Sequence, residues 1–178
     1  QGYVASKSPG SARSVVPQRG DLLYELEELV EPRAEGTGRV AREEETELLA
    51  RMFVQFTDEA AVPRMSLADA RDTVSTRIRD QALFCWVVDG VVVSVAGHAP
   101  IVTTGEIVIG RVGPVYTPPS YRRHGFGSAV TAVVTRHLIE QGARVMLFTD
   151  PANLTSNAIY QAIGYRLIDE LVEVGFED

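Results

Sequence analysis

The chain of 178 residues has the length of one ordinary domain, and a composition of 45% hydrophobic and 23% charged residues is typical of a folded protein. Its net charge of −7 argues against nucleic-acid binding driven by phosphate neutralisation. The single cysteine, Cys85, excludes an internal disulfide and a thiolate metal site, and we expect a buried, inert thiol.

The first 38 residues are predicted to be a tail or linker. Residues 1–21 are rich in Ser, Gly, Pro and Arg and show little periodicity. Residues 22–30 are apolar enough to dock on another surface, and Pro32 then breaks the chain together with two nearby glycines. The main domain is therefore expected to cover residues 39–178.

Two amphipathic helices are predicted next. The first begins near Glu43, behind an acidic first turn that suits the helix dipole. The second begins at Ser66, whose hydroxyl makes it a good N-cap. The apolar positions at helical spacing are Leu48, Leu49, Met52, Phe53 and Phe56 in the first helix and Leu67, Ala70, Val74 and Ile78 in the second.

A β-hairpin and a third strand are expected after these helices. Residues 83–88 and 91–97 are apolar runs joined by Asp89-Gly90, a pair that readily adopts the positive φ of a tight turn. Residues 99–105 are expected to be a loop. Residues 107–116 are predicted to be the third strand.

The last third of the chain alternates helix and strand. The predicted elements are a helix over 125–140 with Gly142 after its end, a strand over 144–149, a helix over 156–163 closed by Gly164, and one or two strands over 165–176. The whole order predicts a mixed α/β (α+β) sheet covered by helices.

The most informative segment is residues 121–128, Tyr-Arg-Arg-His-Gly-Phe-Gly-Ser, at a predicted strand–helix junction. The first amides of a helix lack intrahelical partners and lie at the positive end of its dipole. Gly125 and Gly127 leave room for a phosphate, while Arg122 and Arg123 add positive charge. This pattern favours a pyrophosphate site. The alternative is a glycine-relieved turn with two solvated arginines.

Two common nucleotide loops do not match this segment. A Walker loop would need Gly-Lys-Ser/Thr, and the dinucleotide fingerprint would need a third glycine where the chain has Val130.

Two flanking stretches add information. Residues 111–119 form a strand containing Pro114, which cannot donate to a sheet ladder. Residues 150–165, Asp-Pro-Ala-Asn-Leu-Thr-Ser-Asn-Ala-Ile-Tyr-Gln-Ala-Ile-Gly-Tyr, end in an aliphatic-Gly-aromatic sequence.

These three stretches, in this order, resemble the GNAT superfamily over residues 39–178. The resemblance implies a GNAT-type acyl-CoA N-acyltransferase fold whose central strands splay apart around the pantetheine arm of coenzyme A. It implies an N-acetyltransferase that uses acetyl-CoA and no metal, with direct attack by an amine of a small molecule or peptide. The alternative is a non-catalytic acyl-CoA-binding sensor or scaffold.

The resemblance also implies roles for individual residues. Tyr160 would donate a proton to the leaving thiolate; its alternative is a core aromatic that packs the last helix. The residues implied to contact acetyl-CoA are Val115, Tyr116, Thr117, Arg122, Arg123, His124, Gly125, Phe126, Gly127, Ser128, Asn153, Asn157 and Tyr160.

The general base stays open. Some relatives carry a glutamate on the central strand, and that place falls on Arg111, which does not deprotonate. Glu106, His98 and a water relay are the candidates, with His98 also interpretable as an ordinary loop residue. We expect His124 to be an exposed loop residue and His137 to be packed on the apolar helix face.

Other expectations concern the setting of the protein. No run of residues is long enough for a membrane span and no signal pattern is present, which predicts a cytoplasmic protein with no membrane or nucleic-acid partner. Lys7 is the only lysine, which suggests a GC-rich bacterial genome. Residues 22–32 resemble the segment before the catalytic half of tandem actinobacterial relatives, so the first 38 residues would be a remnant of a preceding domain. A homodimer through the last strand is a further possibility.

Overall fold

Eight strands form one mixed sheet in the computed structural model, which describes residues 14–60 and 62–177. The order is β2-β3-β4-β6-β7-β1-β8, with β5 paired to β6, and only β6 and β7 run parallel. The strands are β1 (Ser14–Leu26), β2 (Thr37–Val40), β3 (Leu83–Val88), β4 (Val91–His98), β5 (Val102–Thr104), β6 (Ile107–Tyr116), β7 (Arg144–Thr149) and β8 (Tyr165–Glu177). The α-helices are α1 (Thr46–Glu59), α2 (Leu67–Arg79), α3 (Phe126–Glu140) and α4 (Leu154–Ala162).

The helices cover the sheet in two layers, each with its own apolar core. On one face, α1 and α2 pack on β3 and β4; on the other, α3 packs on the centre of the sheet and α4 packs on β8 and α3. Ser66 caps α2 as expected, since its side chain accepts a hydrogen bond from the amide of Asp69 at 3.2 Å. Most apolar positions predicted for α1 are buried, but Leu48 is exposed.

The elements from α1 onwards agree closely with the sequence prediction. Asp89 and Gly90 both adopt positive φ, 48° and 79°, and close the β3–β4 hairpin. The limits of β6 and β7 are those predicted. α4 begins at Leu154, two residues before the predicted start, because Asn153 provides its N-cap. β8 is one strand, and part of the predicted 99–105 loop is β5.

The expectation of a tail over residues 1–21 was wrong for residues 14–21, which belong to β1; residues 1–13 lie outside the described chain. β1 lies between β7 and β8 and is antiparallel to both. Its apolar residues alternate, with Leu22, Tyr24 and Leu26 packed on the α3–α4 side. The domain boundary at residue 39 stays a prediction, although part of the stretch before it is integral to the sheet.

The centre of the sheet is interrupted at β6. Ala96 of β4 pairs with Val115 and His98 pairs with Val112, so Gly113 and Pro114 stand opposite a single residue, Gly97. This is a β-bulge, and it lies where the sequence predicts a break in the ladder.

In residues 14–60 and 62–177, no helix is long and apolar enough to cross a bilayer.

Candidate active site

The site begins as a gap between two parallel strands. β6 and β7 pair only from Ile109–Arg144 to Val112–Leu147. Beyond that point β6 continues to Tyr116 and β7 to Thr149, and no further pairing between them occurs in the described chain. The last residues of β6 therefore present one backbone edge to β4 and leave the other edge free for a ligand.

The amino end of α3 closes one end of this gap. Gly125 is the N-cap and adopts φ 79°, a left-handed conformation that glycine tolerates best. The first helical amide with a backbone acceptor is that of Ala129, which donates to Gly125. The amides of residues 123–128 have no protein acceptor among the described residues, so they form a cluster of free donors at the positive end of the helix.

Gly127 keeps this cluster close to the end of β6. A Cβ atom added at Gly127 would meet Oγ1 of Thr117 at 3.3 Å, which is a tight contact. Thr117 is fixed in turn by Ser94 of β4, with 2.8 Å between the two hydroxyl oxygens. The backbone of the predicted pyrophosphate loop and the end of β6 thus line one continuous surface.

The side chain of Arg122 is held by contacts within the protein. Its Nε donates to the carbonyl of Thr117 at 2.8 Å, and its guanidinium forms an ion pair with Glu59 at 2.5 Å. Glu59 also accepts a hydrogen bond from the Tyr116 hydroxyl at 2.7 Å, and burial followed by this bond raises the pKa of Tyr116 to about 12. Glu59 was missed by the sequence analysis, because nothing near it in the chain indicates a partner 63 residues away.

The other loop residues predicted to contact the cofactor have distinct environments. Arg123 is exposed and adopts φ 67°. His124 is exposed, as expected, and stacks on Phe126 with 5.4 Å between ring centroids. The Phe126 side chain is buried, so only its backbone faces the cluster of donors. The carbonyl of Arg33 lies 3.5 Å from the position of a Cβ on Gly125, so the predicted linker passes over this loop.

α4 brings two asparagines to the far side of the gap. Asn153 is exposed and caps the helix, accepting from the amide of Ser156 at 3.1 Å. Asn157 is only 8% exposed and donates through Nδ2 to the carbonyls of Asp150 and Pro151, both at 3.3 Å. Its Oδ1 is buried and has no partner among the described residues. A buried acceptor without a donor carries an energetic cost that a ligand N–H would remove.

Tyr160 is packed in the core, three residues after Asn157 on α4. It is 9% exposed and lies between Tyr24 and Tyr165, with ring centroids 6.5 and 6.2 Å away. Burial raises the pKa of Tyr160 to about 12, against a smaller opposing effect of a hydrogen bond with Ser156. Its hydroxyl is therefore protonated at neutral pH, as a proton donor must be.

These features fit coenzyme A. Free amides at a helix N-terminus suit a pyrophosphate, and an unpaired strand edge beside the orphaned Asn157 acceptor suits the amides of a pantetheine arm. Residues 123–128 would hold the pyrophosphate, and the end of β6 with Asn157 would hold the arm. No group of three or more His, Cys, Asp or Glu in residues 14–60 and 62–177 could hold a metal ion.

The candidate bases are placed as follows. Arg111 is exposed, with its guanidinium 5.9 Å from the ring centre of Phe148. Glu106 is exposed in the turn between β5 and β6. His98 is the last residue of β4, only 6% exposed, and stacks on His137 with ring centroids 5.5 Å apart. Cys85 is buried, as expected, and burial raises the pKa of its thiol to about 12.

Comparisons with known proteins concern the fold and one family model. The family model described as FR47-like protein matches residues 103–174, from β5 into β8. An acetyltransferase of the GNAT family from Colwellia psychrerythraea has 16% identity and a TM-score of 0.69, covering 92% of this chain and 56% of its own. A GCN5-related N-acetyltransferase from Sphaerobacter thermophilus has 18% identity and a TM-score of 0.68, covering 89% of this chain and 51% of its own.

A third solved structure, an acetyltransferase from Clostridium acetobutylicum with acetyl-CoA, has 16% identity and a TM-score of 0.61. It covers 78% of this chain and 95% of its own. No curated protein matches the sequence. The chain spans only about half the length of the Colwellia and Sphaerobacter proteins.

These likenesses establish an acyl-CoA N-acyltransferase type of fold, with the mixed sheet and splayed strands that the sequence predicts. The FR47-like match over residues 103–174 lies in the part of this fold that carries the candidate site.

Proposed function

We propose that this protein is an N-acetyltransferase that transfers the acetyl group of acetyl-CoA to an amine by direct attack. The observation that carries the proposal is the gap between β6 and β7, which opens beside the free amides of residues 123–128. A strand edge and a helix N-terminus at one place can bind an amide-containing arm and a pyrophosphate together.

Acetyl-CoA would supply an activated acyl group, and the chain's own residues would bind and orient it. The free edge of β6 would hold the thioester end, close to the bulge at Gly113 and Pro114. Tyr160 would give its hydroxyl proton to the leaving sulfur, for which its raised pKa keeps the proton in place at neutral pH.

The second candidate is a non-catalytic acyl-CoA-binding module that acts as a sensor or scaffold. Arg111 favours it, because this residue stands where some relatives carry a glutamate base and its guanidinium rests against Phe148. The two candidates agree on acetyl-CoA binding and differ on turnover.

Calorimetry of the protein with acetyl-CoA, CoA, ATP and NAD tests the binding step. We expect acetyl-CoA to bind with a Kd in the range of about 1–100 μM and the two other nucleotides to bind far more weakly. Release of the CoA thiol in the presence of an amine panel then separates the candidates. Tight acetyl-CoA binding without thiol release would favour the sensor, and absence of acetyl-CoA binding would overturn both.

A further inference from the structure

A cavity of about 670 Å³ lies beside the β6 bulge, outside the cofactor gap. It is formed between the second half of α2, the end of β4 and the residues that follow β4. Its volume is in the range that holds a small organic ligand. The ionisable residues lining it are Asp72, Arg77, Asp80 and His98.

Arg77 is a partly buried cation without an anionic partner among the described residues. One of its terminal nitrogens, Nη1, donates to the carbonyls of His98 at 3.3 Å and Gly113 at 3.0 Å. Its guanidinium also lies 5.9 Å from the ring centre of Phe53. The other nitrogens of the guanidinium have no acceptor among the described residues, although arginine presents five donors suited to a carboxylate.

The electrostatics of Arg77 point the same way. Burial lowers the pKa of Arg77, and the nearby Arg111 charge lowers it further. A guanidinium nevertheless stays charged at any working pH. An anion bound in the cavity would therefore stabilise the charge of Arg77, which is half-buried, close to a second cation and paired only with carbonyls.

His98 supplies the second unsatisfied group. Its Nδ1 is 2.8 Å from the carbonyl of Ala99, which makes Nδ1 the protonated nitrogen. Nε2 then carries a lone pair, and it is buried without a partner among the described residues. Burial lowers the pKa of His98, with a smaller contribution from its neighbours His137 and Arg77, so the ring is neutral at pH 7.

We infer that this cavity binds the acceptor, a small compound carrying both an amine and a carboxylate, as an amino acid does. Arg77 binds the carboxylate, and Nε2 of His98 accepts a proton from the amine. The exposed Asp72 and Asp80 attract the ammonium form before it loses that proton. The inference rests on the proposed function, since it names the substrate class of that reaction.

The proton balance is complete. The ammonium gives one proton to Nε2, and the neutral nitrogen attacks the thioester carbonyl carbon. The C–N bond forms and the C–S bond breaks; the sulfur takes the Tyr160 proton while the nitrogen's second proton replaces it. His98 then releases its proton to water. The products are an N-acetyl compound, the free thiol of CoA and one proton, with no other reactant.

The test starts with the wild-type protein and acetyl-CoA. Common L-amino acids are compared with their carboxamides and with the decarboxylated amines, by thiol release and by calorimetry in the presence of CoA. We expect at least one amino acid to bind and react, and its carboxamide and amine to do so about tenfold less well or worse.

Matched variants then assign the two residues. Arg77→Gln is compared with Arg79→Gln, two positions along the same helix but outside the cavity. Only Arg77→Gln should raise the KM of the amino acid, by about tenfold or more, while acetyl-CoA affinity stays the same. His98→Gln is compared with His137→Gln, its stacking partner. Only His98→Gln should lower kcat, by about a hundredfold, with acetyl-CoA affinity preserved.

The possible results distinguish a failure of the proposed function from a failure of this inference. If the wild-type protein does not bind acetyl-CoA, both the proposed function and this inference are wrong. Acetyl-CoA binding with equal or better turnover of amines that lack a carboxylate would overturn the inference alone. So would acetyl-CoA binding without calorimetric binding of any amino acid, or equal effects of each variant and its control.

Discussion

The segment from β6 to α4 and the segment from β1 to α2 contribute to the site by different physical means. From β6 to α4, the candidate site is made mainly of backbone, namely a bulge, an unpaired strand edge and free amides at a helix end, with the side chains of Asn157 and Tyr160 beside them. From β1 to α2, the contribution is made of side chains that reach across long sequence separations, such as Glu59 to Arg122 and Arg77 to Gly113.

This difference explains why the sequence predicts the site features of the segment from β6 to α4 but not the side-chain contacts made by the segment from β1 to α2. Backbone sites require glycine and proline at fixed places, and those residues leave a pattern that is short and local. Side-chain contacts between distant elements require only that two compatible residues meet after folding, so their partners cannot be paired from one sequence. Four substitutions test this division.

Replacing Tyr24 tests whether β1 is part of the domain rather than a tail. Tyr24 is 1% exposed and packs with Tyr160 in the core, so Tyr24→Ala should lower the free energy of unfolding by about 3–5 kcal/mol. Val30, 54% exposed in the same predicted linker, is the control, and Val30→Ala should cost about 0.5 kcal/mol or less. Urea denaturation measures both effects. Equally small effects of the two substitutions would mean that β1 is not part of the folded domain.

Replacing Tyr160 by phenylalanine tests the proposed proton-donor role of a side chain in the segment from β6 to α4. Tyr160→Phe should reduce kcat on the order of a hundredfold and leave acetyl-CoA affinity nearly unchanged, because only the donated proton is lost. Tyr165→Phe is the control: its hydroxyl bonds Thr135 at 2.6 Å in the core, so stability falls by about 1 kcal/mol while kcat is kept. Equal losses of binding and rate in Tyr160→Phe would remove the acid role.

Replacing Gly125 tests the backbone site itself. Gly125→Val forces a β-branched residue into a φ of 79°, which disturbs the free amides, and acetyl-CoA affinity should fall on the order of a hundredfold. Gly142→Val has nearly the same strain, with φ 75°, at the other end of α3. Gly142→Val should lower the free energy of unfolding without changing the acetyl-CoA affinity. If calorimetry gives the same acetyl-CoA affinity for both variants, the pyrophosphate binds elsewhere.

Replacing Glu59 tests how α1 acts on the loop. Glu59→Gln keeps one oxygen to accept from Arg122, places an amide NH2 that can donate to the Tyr116 hydroxyl, and removes a negative charge beside the predicted pyrophosphate site. Acetyl-CoA affinity should rise about threefold at low salt and return to the wild-type value at high salt. Glu47→Gln, on the same helix and paired with Arg51 and Arg71, should have no effect. A weaker affinity in Glu59→Gln would mean that the ion pair positions the loop.

The sequence predicts α1, α2, β3, β4, β6, α3, β7, α4 and β8 because each carries a periodic apolar pattern bounded by Gly, Pro or a capping residue. It does not predict β1, whose first residues resemble a linker and whose partners, such as Phe148 for Leu23, are far along the chain. β2 is four residues with an internal glycine, and β5 is three exposed residues. Neither has enough local preference to be recognised without its neighbour.

The candidate site divides in the same way. The loop lies at the amino end of α3, the bulge in β6, and the two asparagines at the start of α4, while their contacts with acetyl-CoA stay a prediction. The ion pair of Arg122 with Glu59 is a contact that the sequence does not predict. The unpartnered Nε2 of His98 follows only from packing, since its isolation depends on Phe84, His137 and Ala99 together.

The position of β1 between β7 and β8 has a consequence for how the protein is made. On the ribosome, β1 is synthesised before β7 and β8, the two strands that flank it. Until they emerge, the backbone groups on both edges of β1 have no strand to pair with. Pairing elements this far apart in the chain makes folding slow and leaves an early strand open to wrong partners. We expect the completed sheet to close last at β1, after the helices and the β3–β4 hairpin have already formed.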